Sequence, residues 1–295
     1  MNRILFFLFL LINTSSFAQE DSIFDRLRAI QNTNQFTYYV IGGVSITSED
    51  FLFSFNEDIL SIAYRTYNVS DEKKAKDELL KYNNYVVRTS VLITDDLFEY
   101  NSYYFVENKE GKVLIILFGS NNKSDEDFER SFIELVVENK IPESCFSDQA
   151  SDTINFASRD IPLDGNCNYM NVNSVQCPYR GQINWSIHKN LADAKRTNVY
   201  QLKKTLSKEL GEVVFDDYVD VVFEGIATKA RKLVFDFSNN PEFVKATSNA
   251  KSMTIYYVAV KIRGHIIGCV LSHWDNDKIG KSGVPYLLNE LMTLK

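Results

Sequence analysis

The sequence predicts an α+β protein of two tandem domains, each an antiparallel β-meander packed by helices. Three observations carry that prediction. Strand-like runs rich in Val, Ile, Tyr and Phe recur in both halves, joined by turns too short for parallel crossovers, which need about a dozen residues. Helical stripes flank those runs and supply the apolar cover that a sheet face requires. The chain has 295 residues, beyond the usual size of one domain.

The first residues, MNRILFFLFLLINTSSFAQE, read as a targeting segment. Arg3 precedes an apolar run from Ile4 to Ile12, and Ser16-Phe17-Ala18 offers small residues at a cleavage point after Ala18. A membrane-spanning helix needs about 20 apolar residues, so residues 1–18 are read as a signal peptide rather than an anchor. No later stretch is long or apolar enough to span, so no stable membrane insertion is expected after cleavage. The expected location is periplasmic or secreted. The remaining division is 19–145 for an N-terminal α+β domain, 146–165 for a linker and 166–295 for a C-terminal α+β domain.

The elements follow in order. Ile23, Phe24, Leu27 and Ile30 give a short helix one apolar face. Ser70 can cap a helix through SDEKKAKDELLKYNN, with Ala75, Leu79 and Tyr82 on one side. Strands are expected at 85–93, 97–107 and 112–120, the last two joined at Gly111. Ser124 can cap a helix with Phe128, Phe132, Leu135 and Val136 inward, stopped by Pro142. Between the halves, short strands are expected near Thr153–Phe156 and Tyr169–Val172. A second-half helix runs from Asn190 to Gly211, with Leu191, Ala194, Val199, Leu202, Leu206 and Leu210 in its stripe. Strands at 212–225, 226–238, 253–263 and 265–274 follow, the last two meeting at Arg263-Gly264. A final helix holds Pro285 in its first turn and Leu287, Leu288, Leu291 and Leu294 inside. The segments YYFVENKEGKVLIILFGSNN and YYVAVKIRGHIIGCVLSHWDND align at Tyr-Tyr, the turn Gly and the closing Asn, which suggests a diverged internal repeat.

Export decides how the four cysteines are read. An even number in an oxidising compartment favours disulfides, and the closest pair is ten residues apart, wider than metal-binding spacings. A Cys167–Cys177 bridge closing a polar loop is the expected staple. Cys269 is read as a buried thiol or a partner of Cys145. The net charge is −7, and losing Arg3 with the signal peptide makes the mature chain more acidic, which argues against a nucleic-acid partner. The abundant asparagine is read as surface and loop chemistry, or as genome composition.

Catalytic templates are missing. There is no phosphate-binding glycine pattern, no dinucleotide fingerprint, no zinc-protease helix motif and no nucleophile elbow. His273, Asp275 and Asp277 in HWDND alternate as metal ligands would, but no third protein ligand follows by spacing, and no metal or other cofactor is assigned. His265 and His273 lie four residues on either side of Cys269, about 13 Å along a strand and beyond hydrogen-bond reach. The acid pairs Asp95-Asp96 and Asp216-Asp217 read as turn or surface acids. Trp185 and Trp274, near strand ends, are candidates for stacking on a ligand or for core and rim roles.

Three functions remain. The first is an exported binding or interaction protein without evident catalytic machinery, its partner an unknown protein or small ligand, with a site at the inter-domain cleft near the Cys167–Trp185 segment. The second is a periplasmic, hydrolase-like enzyme with a site from the scattered His188, His273, Asp275 and Asp277. The third is an envelope inhibitor or immunity-type protein whose acidic face meets a basic partner.

Overall fold

Antiparallel pairing organises the chain. The computed structural model describes residues 22–94, 97–148, 152–163, 167–209 and 211–295. The expected signal peptide and the Asp95-Asp96 pair lie outside the described residues. The first part contains α1 (Ile23–Arg26), β1 (Arg28–Gln31), β2 (Phe36–Ile41), β3 (Val44–Ser54), α2 (Glu57–Thr66), β4 (Asn84–Thr94), β5 (Leu97–Glu107), β6 (Lys112–Ser120) and α3 (Glu126–Val137). A middle segment carries β7 (Thr153–Phe156) and β8 (Arg159–Pro162). The rest is β9 (Asn168–Asn171), β10 (Ser174–Cys177), β11 (Gly181–His188), α4 (Leu191–Leu206), β12 (Glu212–Phe223), β13 (Ile226–Asp236), α5 (Pro241–Ala246), β14 (Ser252–Ile262), β15 (His265–Trp274), α6 (Tyr286–Asn289) and β16 (Met292–Leu294).

Six strands form one sheet in the order β1-β2-β3-β6-β5-β4. Eight form a second, β16-β12-β13-β14-β15-β11-β10-β9, and β7 pairs with β8 alone. The ladders between these strands are all antiparallel. Both sheets share a connection plan. A three-strand meander leads into a helix, α2 or α4, and a returning meander ends on a strand, β6 or β15, that pairs with the third strand of the first meander, β3 or β11. The second sheet has one strand more in its returning meander. The two sheets also differ at their ends. β6 leads into the twelve-residue α3, whereas β15 leads into a loop and the four-residue α6.

Local chemistry explains where the elements start and turn. Asn56, Asp125 and Asn190 each accept a backbone N–H from the third helical residue, capping α2, α3 and α4. Two-residue turns with both residues at positive φ, Glu224-Gly225 and Arg263-Gly264, close β12–β13 and β14–β15 with a twist that suits antiparallel strands.

The first sheet buries both faces. Phe132, Ile133 and Val137 of α3 meet Tyr104, Val106, Ile116 and Phe118 on one side, and Leu60, Ala63 and Tyr64 of α2 meet Val87, Phe105 and Ile115 on the other. In the second sheet, Leu202 and Leu206 of α4 and Phe243 of α5 cover Leu233, Phe235 and Tyr257. The opposite face is covered by the β7–β8 hairpin and by Leu287 and Leu288 of α6. Ile154, Phe156, Ala157 and Ile161 of that hairpin are fully buried, so the expected linker carries core-forming residues. Glu224, its side chain 4 % exposed, ties the hairpin down by pairing with Arg159 (3.0 Å) and Arg263.

Several expected helices are shortened or displaced. Beyond Ser70 only Asp71–Lys73 form a 3-10 turn. Ala75 instead exchanges two backbone hydrogen bonds with Val86 (2.9 and 2.8 Å), and Asp77 is held by Arg130 at 2.9 Å, so the segment stays extended. The helix in this region is α2, further upstream. The N-terminal helix stops at Arg26 because Arg28–Gln31 pairs with β2. The final helix keeps four residues because Met292–Leu294 joins β12 as an edge strand. The Cys145–Cys269 alternative does not form. Cys145 packs with the first sheet, Cys269 with the second, and both are buried free thiols.

Cys167 and Cys177 are bonded, with Cα atoms 4.1 Å apart, at the open end of the β9–β10 ladder. Replacing both by Ser is expected to cost about 2–3 kcal/mol, the loop-entropy scale for so short a loop. Thiol titration of the denatured, unreduced protein should find the two free cysteines; four reactive thiols would contradict the bridge. Glu224→Gln is expected to lose about 1–3 kcal/mol in urea unfolding, since it removes the buried carboxylate with which both arginines pair. A loss below about 0.5 kcal/mol would show that apolar contacts and the Arg263 hydrogen bonds to Phe156 O and Ala157 O hold the β7–β8 hairpin without the ion pairs.

Candidate functional site

The two sheets meet along a seam, and the seam contains a polar cleft of about 170 Å³. One wall comes from the β2–β3 turn and the ends of β5 and β6. The other comes from the β9–β10 turn, β11, α4 and β15. Gly43 brings the walls together. Its φ is +84°, and a Cβ there would sit 2.8 Å from Thr197 Oγ1 on α4, so both the turn and the close approach require glycine. Across the seam, Glu99 on β5 accepts hydrogen bonds from Tyr200 Oη (3.1 Å) and Lys204 Nζ (2.6 Å) of α4. Burial raises the Glu99 carboxyl, but Lys204 and Tyr200 outweigh it and hold the group below the usual range.

Five asparagines line this cleft: Asn121, Asn171, Asn173, Asn184 and Asn198. Asn198 donates its Nδ2 to Val258 O at 2.9 Å. Asn173 is 4 % exposed, and among the described residues its amide side chain makes no hydrogen bond. Ser186, also buried, contacts His188 Nε2 at 2.7 Å through its Oγ. Gly268 lies opposite Ser186 in the ladder and leaves room for this pair; a Cβ would approach His188 Nε2 to 3.1 Å and Asn198 Oδ1 to 3.3 Å. A second cavity of about 560 Å³ adjoins along the seam, sharing Val44 and Ser120 and reaching His188, Arg26 and Arg196.

The Ser186–His188 contact has the distance of a nucleophile and base but lacks the electrostatics. Burial lowers the His188 pKa to about 4; Asp193 raises it, and Arg26 and Arg196 lower it further. Nδ1 is buried with no hydrogen-bond partner. Moving the Ser186 proton onto this ring would create an imidazolium with no acceptor on Nδ1 among the described residues, and with Arg26 and Arg196 opposing the help of Asp193. The pair shapes the cleft rather than activating the serine.

The other expected site residues lie elsewhere. His188 is registered with Ile266, while His273 lies seven residues further along β15, roughly 23 Å away. Asp275 accepts from Lys251 N (3.0 Å) and Asp277 from Trp274 N (2.9 Å), so both organise the loop after β15. Burial lowers the His273 pKa and raises that of Asp277. Among the described residues no three His, Cys, Asp or Glu side chains group as metal ligands would. Cys269 is opposite Trp185 in the ladder, on the face away from His188, and burial pushes its thiol far up. The Trp185 ring packs at a tilt against Phe156 in the core, 3 % exposed, and is not available to a ligand. Trp274 packs with Phe237 and Phe243. The structure therefore gathers His188 with Ser186, Asn173 and Asn198, residues that the sequence reading did not single out. The asparagine-rich run around Cys167–Trp185 signalled Asn173 but not Ser186 or Asn198.

No family model matches the chain, and neither the curated proteins nor the solved structures contain a significant match.

His188 generates a pH prediction. Below about pH 6.5 the unfolded chain takes up a proton that the folded imidazole refuses until about pH 4. Stability therefore falls as the pH is lowered through that window, by about 3 kcal/mol from this residue. His188→Gln can keep the contact with Ser186 and does not titrate. Urea unfolding from pH 7 to pH 4 should show a shallower loss in the variant than in the wild type. Parallel curves would mean that His188 takes up its proton in the fold at the same pH as in the unfolded chain, and would overturn the lowered pKa.

Proposed function

We propose that this chain is an exported binding protein in which two domains of shared plan, 19–145 and 166–295, hold a small polar ligand between them. One observation carries the reading: the seam cleft is lined by polar side chains, of which Asn173, Asn198 and Ser186 are buried, and among the described residues the Asn173 side chain makes no hydrogen bond. The Asn173 amide opens onto the cleft, where a bound molecule can take up its uncommitted donors and acceptors. Clefts between domains are a common place for such sites. The signal-peptide pattern and the Cys167–Cys177 bridge support export, since disulfides persist in oxidising compartments. Among the described residues no helix is long and apolar enough to cross a membrane. The electrostatics around Ser186 and His188 disfavour the hydrolase alternative.

A second reading, as an inhibitor or immunity-type partner, draws on β12. There Val213, Val214, Phe215 and Tyr218 are exposed on the outer strand of a long hairpin, a surface that another protein could cover.

The test is a thermal-shift and native mass-spectrometry screen of the mature chain against size-fractionated extract from its own cells. A small-molecule fraction should raise the melting temperature and add a discrete mass. Gly43→Ala, which wedges the seam, should respond less. A stable protein partner with no response to any small-molecule fraction would replace the first reading with the second.

A further inference from the structure

Resting on the binding role proposed for this cleft, we infer that its ligand is a small uncharged polyhydroxyl compound, about the size of one sugar ring. Charge is the first argument. Glu99 and Lys204 are the two charged side chains that line the cleft, and they neutralise each other at 2.6 Å, with Tyr200 Oη adding a third contact. A charged ligand would find no uncommitted counter-charge, and burying it unpaired is costly. A neutral ligand meets no such penalty.

Hydrogen-bonding capacity is the second argument. An asparagine amide offers two donors and two acceptor lone pairs. Asn173 keeps its full set, and Asn198, after giving Nδ2 to Val258 O, keeps Oδ1 as an acceptor. At the rim, Asn184 and Gln201 are exposed and add further amides. A hydroxyl both donates and accepts, so adjacent hydroxyls can satisfy the oxygen and the nitrogen of one amide together. A rigid polyol answers this lining with few rotors to freeze.

Shape agrees with this assignment. Gly119 and Gly268 put bare backbone on opposite walls, while Val40, Val44 and Val270 provide apolar surface for the C–H face of a ring. The volume of about 170 Å³ lies below the roughly 300–1,000 Å³ of drug-sized sites. Recognition would rest on the amides, because the Trp185 indole faces the core.

The experiment is saturation-transfer NMR on the full mature chain. The neutral probes are glucose, galactose, mannose and myo-inositol. The contrasting probes are glucuronate, glucosamine, glucose 6-phosphate and the amide N-acetylglycinamide. At least one neutral probe should bind, with the charged probes at least about tenfold weaker or undetectable, because an unpaired charge is costly to bury. Asn173→Ala should abolish that signal without lowering the melting temperature, because the side chain bonds to nothing in the fold. Asn184→Ala, at an exposed position, should weaken it. A charged probe or the amide binding better, still dependent on Asn173, would overturn the ligand class and leave the cleft as the site. Saturation transfer that is absent, or indifferent to Asn173, would overturn the polyhydroxyl assignment. If no extract fraction acts on the protein either, the binding role falls with it.

Discussion

The strand pairs that close the two sheets, β3 with β6 and β11 with β15, are the constraint on which the rest of the structure depends. Each joins strands far apart in sequence, and the intervening helix must cross a sheet face to permit the pairing. Such non-local contacts carry a loop-closure cost, offset here by apolar burial on both faces of each sheet. The second pair also builds the candidate site. Its register places Ser186 against Gly268 and His188 against Ile266, directly beneath α4. Without a glycine at 268, the space for the Ser186–His188 contact and the Asn198 amide would close.

Charge pairing elsewhere contrasts with the cleft. Asp77 is gripped by Arg130, Glu224 by two arginines, and Glu129 is bonded to the Tyr104 hydroxyl at 3.0 Å. These buried acids have partners, and the ones they have tie separate elements together. Of the seam amides, Asn173 and Asn198 are buried to a similar degree, yet among the described residues the Asn173 side chain has no partner. A concave place lined by an amide with its donors and acceptors uncommitted has a physical reason to bind something there.

Much of the sheet structure could be read from the sequence, and the site could not. Runs such as 112–120 and 253–263 are dense in β-branched and aromatic residues bounded by turn glycines, so local chemistry alone identified them. The Cys167–Cys177 bridge followed from spacing and compartment. The helix expected after Ser70 had the right periodicity, but Ala75 found a strand partner in Val86 and Asp77 an arginine 53 residues away, contacts invisible to a local pattern. His188 could be named because histidines are rare here. Asn173 and Asn198 could not, because asparagine in a loop and asparagine in a cleft look alike until two distant segments are brought face to face. Reading the asparagines as surface chemistry missed that four of the five cleft asparagines come from the second half and one from the first.

The shared plan of the sheets sharpens the point. α2 and α4 occupy equivalent places, each capped by an asparagine and each following the third strand of its meander. Yet α2 buries Leu60, Ala63 and Tyr64, whereas α4 buries Asn198 and Tyr200 beside Ala194 and Leu202. Polar groups on the buried side of a covering helix weaken its packing unless they gain partners. Tyr200 gains Glu99 from the first sheet, and Asn198 gains the Val258 carbonyl with one acceptor to spare. The first sheet has no such neighbour across α2, and its equivalent face is sealed with apolar side chains. Between these two helices, the buried polar side chains lie on α4, which faces the first sheet, and that is what a site assembled between the two sheets, rather than inside either, requires.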